Sequence, residues 1–269
     1  MTETDADFSG SDNPQLVLKG QIAELCLNAP TRKNALPLAA WERIPALVRQ
    51  VESHASARVC IVRGAGGQNF CAGADISEFE AVRSTPEAAK RYDDINVAAF
   101  KALRTLSIPV IAAVQGPCLG GGLGLALACD IRLATRSAFF GIPAAKLGLA
   151  YPPEALGDLL AAVPLADAKQ LLFTGDRFSA ERALRMGLVN EILDEDELDT
   201  RVESLCKSIC ANAPLSLKAA KHALNQISHS PGADLGSALR DAQTCIDSED
   251  YREGYRAFLE KRSPVFKGR

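Results

Sequence analysis

The chain is short of histidine: His54, His222 and His229 are the only 3 in 269 residues, far apart and in polar or helical surroundings. That scarcity argues against a zinc centre or a histidine-based nucleophilic triad, since both need imidazoles brought together with other ligands or partners. There is no basic excess. The 30 Lys and Arg against 33 Asp and Glu leave a formal net charge of −3, which does not suit nucleic acid or an anionic membrane as main partner. An anionic ligand must therefore be held by local groups. Long apolar runs are missing too. Residues 122–129 form one of the longest, far below the roughly 20 residues that a membrane span requires. The opening "MTETDADFSGSDNP" has neither a basic n-region nor an apolar h-region. It reads as a disordered leader over residues 1–14 rather than a targeting segment, and the expected location is cytoplasmic. No CxxC pair accompanies the 8 cysteines. Cys206 and Cys210 share a helix face, but nothing completes a metal site around them. They read with the others as small buried hydrophobes kept reduced, so no metal or other cofactor is expected.

What is present is the makeup of an ordinary soluble protein, 47% apolar and 23% charged, long enough for one large α/β unit or a core with an appendage. "QLVLKGQIAELCLN" (15–28) reads as a hairpin about Lys19-Gly20. Residues 37–53 carry helical periodicity, with a kink or interruption expected at Pro45. "RVCIVRG" (58–64) and "PVIAAV" (109–114) read as buried strands, separated by a long amphipathic helix at about 86–106. "DIRLAT" and "AFFGI" add short strands, and the alternation predicts mostly parallel pairing. From about residue 154 the pattern turns helical: 154–163, 165–173, 179–186, 195–211, 214–227, and 233–261 with breaks. The expected division is a core over 15–195 and a C-terminal helical region over 196–269, the latter suited to association.

Within this order "CLGGGLGL" (118–125) stands out, because each glycine inside a helix costs about 1 kcal/mol relative to alanine. A buried strand, a glycine turn and a helix start present free backbone N–H groups, and a missing Cβ lets a ligand touch the main chain. The run is not a Walker loop, since no GK[ST] follows, nor is it GxGxxG in the dinucleotide register. A second small-residue loop, "NFCAGADI" (69–76), follows an upstream strand. Two such loops at neighbouring strand ends are able to aim one N–H each at a single oxygen.

Taken together, "NAPTRKNAL" (28–36), "FCAGADISEF" (70–79), "PVIAAVQGPCLGGGLGLALACDIRLAT" (109–135), "FGIPAAKLGL" (140–149), "LLFTGDRFSAERALRMGLVNEI" (171–192) and "FLEKRSPVFKG" (258–268) resemble the crotonase superfamily, the enoyl-CoA hydratase/isomerase group. The resemblance runs from about Leu16 to Lys267. It implies a β/α spiral core with a C-terminal helical trimerisation region, often a dimer of trimers, and an acyl-CoA thioester as substrate, with coenzyme A entering only as part of that substrate. It implies an oxyanion hole made by the N–H groups of Ala74 and Gly121, and contacts to CoA from Ala72, Ala74, Asp75 and Ile76. Arg32 and Lys33 stand where relatives keep basic residues near the CoA phosphates, or else are solvated loop charges. Lys261 and Lys267 would approach those phosphates from a neighbouring subunit. The Asp75 side chain is read as bonding local N–H groups.

The two glutamates with which hydratases of this family hold water and move its proton fall, by position, on Gly124 and Ala144. A further position used by some isomerases and dehalogenases falls on Pro152. Tyr151 and Glu154, with Asp158 behind, are the nearest polar candidates for acid–base work; Glu154 reads first as a carboxylate opening a helix. Tyr92 and Asp93 either line an acyl pocket or belong to a solvated helix face. The expectation is an enzyme that stabilises a thioester enolate, nominally hydratase/isomerase-like. The alternatives are a decarboxylase or thioester hydrolase of the same fold, or a CoA-thioester binding protein without turnover.

Overall fold

The computed structural model describes residues 12–229, 232 and 234–269. Of the expected leader, residues 1–11 lie outside the described residues. Its last residues are tied to the body: Asp12 pairs with Arg32, and the Pro14 carbonyl accepts from Arg43.

The hairpin strands β1 (Gln15–Lys19) and β2 (Ile22–Leu27) turn through Gly20 at φ +59°, a left-handed backbone that glycine adopts without strain. Helix α1 (Leu38–Ser53) leads to β3 (Val59–Gly64), and the short α2 (Phe79–Val82) to the long α3 (Pro86–Thr105), which is capped by the Thr85 hydroxyl. Then come β4 (Val110–Val114), β5 (Pro117–Leu119), α4 (Gly121–Leu127), β6 (Ile131–Thr135) and β7 (Phe139–Gly141). Next follow α5 (Pro153–Ala162), α6 (Leu165–Thr174), β8 (Phe178–Ser179), α7 (Ala180–Arg185) and β9 (Glu191–Leu193). The chain ends in α8 (Leu198–Cys210), α9 (Pro214–His229), α10 (Gly236–Asp247) and α11 (Glu249–Leu259).

Six strands form the main sheet in the order β1-β2-β3-β4-β6-β9, parallel except for the β1–β2 pair. Because side chains alternate across a strand, Cys60, Val62, Ala112, Val114 and Ala134 face a large core with α1, α3 and α4. Val59, Ile61, Ile111, Ala113 and Leu133 face the other way, against Leu198, Val202, Cys206 and Ile209 of α8. Both faces are covered, which is why these strands read as unbroken apolar runs. Helix α8 is thus a layer of the core, although it lies on the far side of the expected boundary at 195/196.

Two expectations change. Helix α1 continues through Pro45, so of the expected kink or interruption the interruption does not occur. Burial of Ala40, Trp41, Ile44, Leu47, Val48 and Val51 along one face outweighs the roughly 3 kcal/mol that an interior proline costs. The stretch beyond residue 154 also contains strands: β9 extends the main sheet beside β6, and β8 joins β5 and β7 in a second sheet of three. These are two or three residues long, so no periodicity announces them. Partners make them strands. Among the described residues no helix is long and apolar enough to cross a membrane.

Candidate active site

The two small-residue loops lie side by side. The backbone of Cys71 pairs with that of Cys118: Cys71 N–H donates to the Pro117 carbonyl at 2.9 Å, and Leu119 N–H donates to the Cys71 carbonyl at 3.0 Å. On its other edge the upstream loop pairs with residue 36, as Leu36 N–H donates to Gly73 O at 2.8 Å and Asp75 N–H donates to Leu36 O at 3.0 Å. Parallel pairing of this kind uses groups on either side of Ala74 and turns the N–H of Ala74 away.

The glycines allow the approach. Gly73 sits at φ +103°, and a Cβ there would fall 2.8 Å from the Leu119 carbonyl oxygen and 3.5 Å from Gly121 N. A Cβ on Gly122 would strike the Cys71 carbonyl oxygen at 2.4 Å. Gly120, at φ +51°, gives its N–H to Gly141 O at 2.8 Å and turns the chain into α4. Among the described residues, the N–H groups of Ala74 and Gly121 donate to no protein acceptor. Both residues line one cavity of about 110 Å³. The positive end of α4 adds to the pull on an oxygen placed there.

The rest of that cavity is largely apolar, walled by Phe79, Phe100, Ile142, Ala144, Leu147 and Leu149. Its only carboxylate among the described residues, Asp93, is paired with Arg83 at 2.6 Å, and the Arg83 guanidinium stacks over Phe79 and Tyr92. Tyr92, Asn96 and Phe100 reach the cavity from successive turns of α3, and Tyr151 reaches it from the loop before α5. Burial pushes the Tyr92 and Tyr151 phenols well above their ordinary range, so both stay protonated. Burial likewise lifts the Cys71 thiol to about 12, and the Cys118 thiol rises for the same reason. Neither offers a thiolate nucleophile near neutral pH.

Ala74, Gly121 and Tyr151 therefore share one cavity, with Ala72, Ile76 and Ala144 on its walls. Gly124 lies inside α4, where a Cβ would meet Phe100 at 2.5 Å and the Tyr151 hydroxyl at 2.8 Å. The volume in which a side chain at 124 would begin is thus already filled. Glu154 is exposed in the first turn of α5 and does not line the cavity. The Ala72 N–H is already donated to the Lys33 carbonyl at 3.0 Å, and Asp75 N–H to Leu36, so neither amide is open to a ligand. The Asp75 carboxylate accepts from Ser77 N–H, Ser77 Oγ and Arg32. Arg32 is held between Asp75 and Asp12, each at 3.0 Å, whereas Lys33 is exposed. Lys261, at φ +54° just past α11, stands apart from the cavity within this chain, and Lys267 donates its N–H to Asp250.

Tyr92 does not belong to a solvated face, being 2% exposed. Asn96, Phe100 and Arg83 were not picked out by sequence reasoning. The spacing of Tyr92, Asn96 and Phe100 at i, i+4 and i+8 was the available signal, and it is equally the signal of an ordinary core-facing stripe.

Residues 18–269 match the family model described as enoyl-CoA hydratase/isomerase. The chain is 33% identical over 255 residues to a short-chain-enoyl-CoA hydratase from Clostridium acetobutylicum, covering 93% of this chain and 96% of that one. It is also 33% identical over 267 residues to a carnitinyl-CoA dehydratase from Proteus mirabilis, covering 96% and 100%. In structure it is similar to an enoyl-CoA hydratase/carnitine racemase from Magnetospirillum magneticum, with a TM-score of 0.92, 37% identity and 98% of each chain covered.

Proposed function

The chain belongs to the enoyl-CoA hydratase/isomerase family, and on that premise we propose that it binds an acyl-CoA with the thioester oxygen between the N–H groups of Ala74 and Gly121 and drives decarboxylation through the enolate they stabilise. In that step the bond from Cα to the departing carboxylate breaks and its electron pair moves into the enolate. The negative charge settles on the thioester oxygen, neutral CO2 leaves, and Cα takes up a proton. No base has to remove a proton and no water has to be activated. Each aligned donor lowers such a barrier by about 3–4 kcal/mol.

The observation that carries this reading is the state of the cavity's ionisable groups. Among the described residues its one carboxylate is paired with Arg83, and its two phenols are held neutral. An addition of water needs a carboxylate or comparable base beside the thioester, and the resemblance matches the family's two glutamates to Gly124 and Ala144, neither of which supplies one. The relatives' names favour the second reading, hydration or its reverse.

A panel of malonyl-, methylmalonyl-, 3-hydroxybutyryl- and crotonyl-CoA, followed by CO2 release and mass spectrometry of the thioester, separates the two. Decarboxylation of a malonyl-type ester with crotonyl-CoA unchanged is the expected result. Brisk hydration of crotonyl-CoA would overturn it, and tight binding without turnover would favour a non-catalytic CoA-thioester binder. Release of free CoA from intact esters would point to hydrolysis.

We further propose a homotrimer or a dimer of trimers. The C-terminal helices leave Leu239, Phe258 and Leu259 at least two-thirds exposed, which supports an association surface. Analytical ultracentrifugation showing a monomer would remove that part.

A further inference from the structure

Gly120, Gly121 and Gly122 are glycines for three different reasons. Gly120 has a left-handed backbone, and a Cβ on Gly122 would strike the Cys71 carbonyl oxygen. Gly121 is not at positive φ, so its backbone would accept a side chain. Trp41 is what excludes one: a Cβ at 121 would fall 2.9 Å from both Cζ2 and Cη2 of the indole. Trp41 is the chain's single tryptophan and is fully buried near the start of α1. Phe100 backs its ring edge-on, with centroids 5.9 Å apart. The far ring of the indole therefore lies against the main chain at Gly121.

The same side chain reaches the other amide through its nitrogen. The indole N–H donates to the Leu36 carbonyl at 2.9 Å, and that carbonyl also accepts from Asp75 N–H at 3.0 Å. Leu36 N–H donates to Gly73 O at 2.8 Å. Gly73 C=O and Ala74 N–H belong to one peptide unit, which is planar and trans, so holding the carbonyl aims the N–H the opposite way. Leu36 thus orients the Ala74 amide, and Trp41 holds Leu36. Trp41 does not line the cavity itself, so it meets a bound acyl group only through the main chain it supports.

We propose that Trp41 is a positioning residue that fixes the distance and direction of the Ala74 and Gly121 amides relative to each other. The proposal rests on the reading that these amides receive a thioester oxygen, and it deepens that reading by naming what holds them. Donors of this kind tolerate displacements of only about 0.5 Å. A ring that bridges both loops supplies such a constraint, having few torsions of its own.

The carbonyl stretch of a bound thioester tests the proposal without turnover, because hydrogen bonds to the oxygen lower its frequency. The probe is butyryl-CoA isotope-labelled at the thioester carbonyl carbon, followed by infrared difference spectroscopy, with calorimetry confirming saturation. The band is expected to shift down on binding to the wild-type chain. Trp41→Phe keeps an aromatic ring but loses the indole N–H and the ring atoms against Gly121, and less than about half of the shift should remain. Gly121→Ala should also lose shift, since the methyl and the indole cannot both stay in place. The double variant should regain part of it, because the methyl enters space the indole has left. A loss of general stability alone would leave the band of the bound ester where it was. A full shift in folded Trp41→Phe or in Gly121→Ala, or a double variant no better than Gly121→Ala, would overturn the positioning role and leave the acyl-CoA reading standing. Circular dichroism melts check folding, and should Trp41→Phe not fold, the Gly121→Ala spectrum decides alone. Wild-type binding of butyryl-CoA without any shift, or no binding of it, would overturn the reading of the two amides and the role of Trp41 with it.

Discussion

The two walls of the cavity are built on opposite plans. Around Ala74 and Gly121 the wall is main chain, and nearly every neighbouring amide is already spent: Ala72 on Lys33, Leu36 on Gly73, Asp75 on Leu36, Leu119 on Cys71 and Gly120 on Gly141. Two N–H groups are set free by pairing everything next to them. The wall formed by α3 and the loop before α5 is side chain, contributed by Tyr92, Asn96, Phe100 and Tyr151. A backbone wall is rigid and suits an atom common to all substrates, in the proposed function the thioester oxygen. A side-chain wall is replaceable residue by residue, so substitutions there change the cavity's shape without touching the two free amides.

Changes on the backbone wall should have the larger effects. Replacing Gly121 with proline removes one of the two donors, and turnover should fall by ~100-fold or more in steady-state assays of a folded variant. An unchanged rate would mean that the main-chain wall does not bear the developing charge. Gly124→Ala comes next. Its methyl would sit 2.5 Å from Phe100 and 2.8 Å from the Tyr151 hydroxyl, so chemical denaturation should report a loss of about 1–3 kcal/mol despite alanine's better helix propensity. No loss would show that the two walls are less tightly joined than their spacing indicates. Arg32→Ala should have the smallest effect. Arg32 is 41% exposed and occupied by two carboxylates, so the affinity for CoA itself, read by calorimetry, should change by less than ~5-fold. A larger drop would bring Arg32 back as a phosphate ligand.

The same contrast explains what was legible in the sequence. Glycine is informative because little else tolerates a φ of +103° or a carbonyl 2.4 Å from where Cβ would stand, so "CAGAD" and "CLGGGLG" announce a close approach of two loops. The parallel strands were legible for a similar reason: burial on both faces writes itself as an unbroken apolar run. Tyr92, Asn96 and Phe100 were not. Their spacing is that of any helix packing on a core, and only the three-dimensional arrangement brings them to the cavity that holds Ala74 and Gly121. Tyr151 stood out merely as one of two polar residues, with Glu154, near a position that the resemblance matches to a catalytic acid. That its hydroxyl fills the space above Gly124 depends on how α4 and the loop before α5 pack, which no local pattern encodes. Strand β9 escaped notice because three residues carry no period, and β6 alone makes them a strand.

Asp158, 4% exposed, takes Arg104 of α3 on one oxygen at 2.7 Å and His229 of α9 on the other at 2.8 Å. Two more ties run alongside, from Lys221 to Asp130 and from Asn225 to the Arg104 carbonyl. The tail is therefore bolted to the far end of the helix that carries Tyr92 and Asn96. Cutting the chain near residue 195 would strip Asp158 of His229, Asp130 of Lys221 and the sheet of its α8 cover, and losing one partner of a buried charge alone costs about 3–5 kcal/mol. The change in composition there is a seam in the text of the protein, not a hinge in its mechanics.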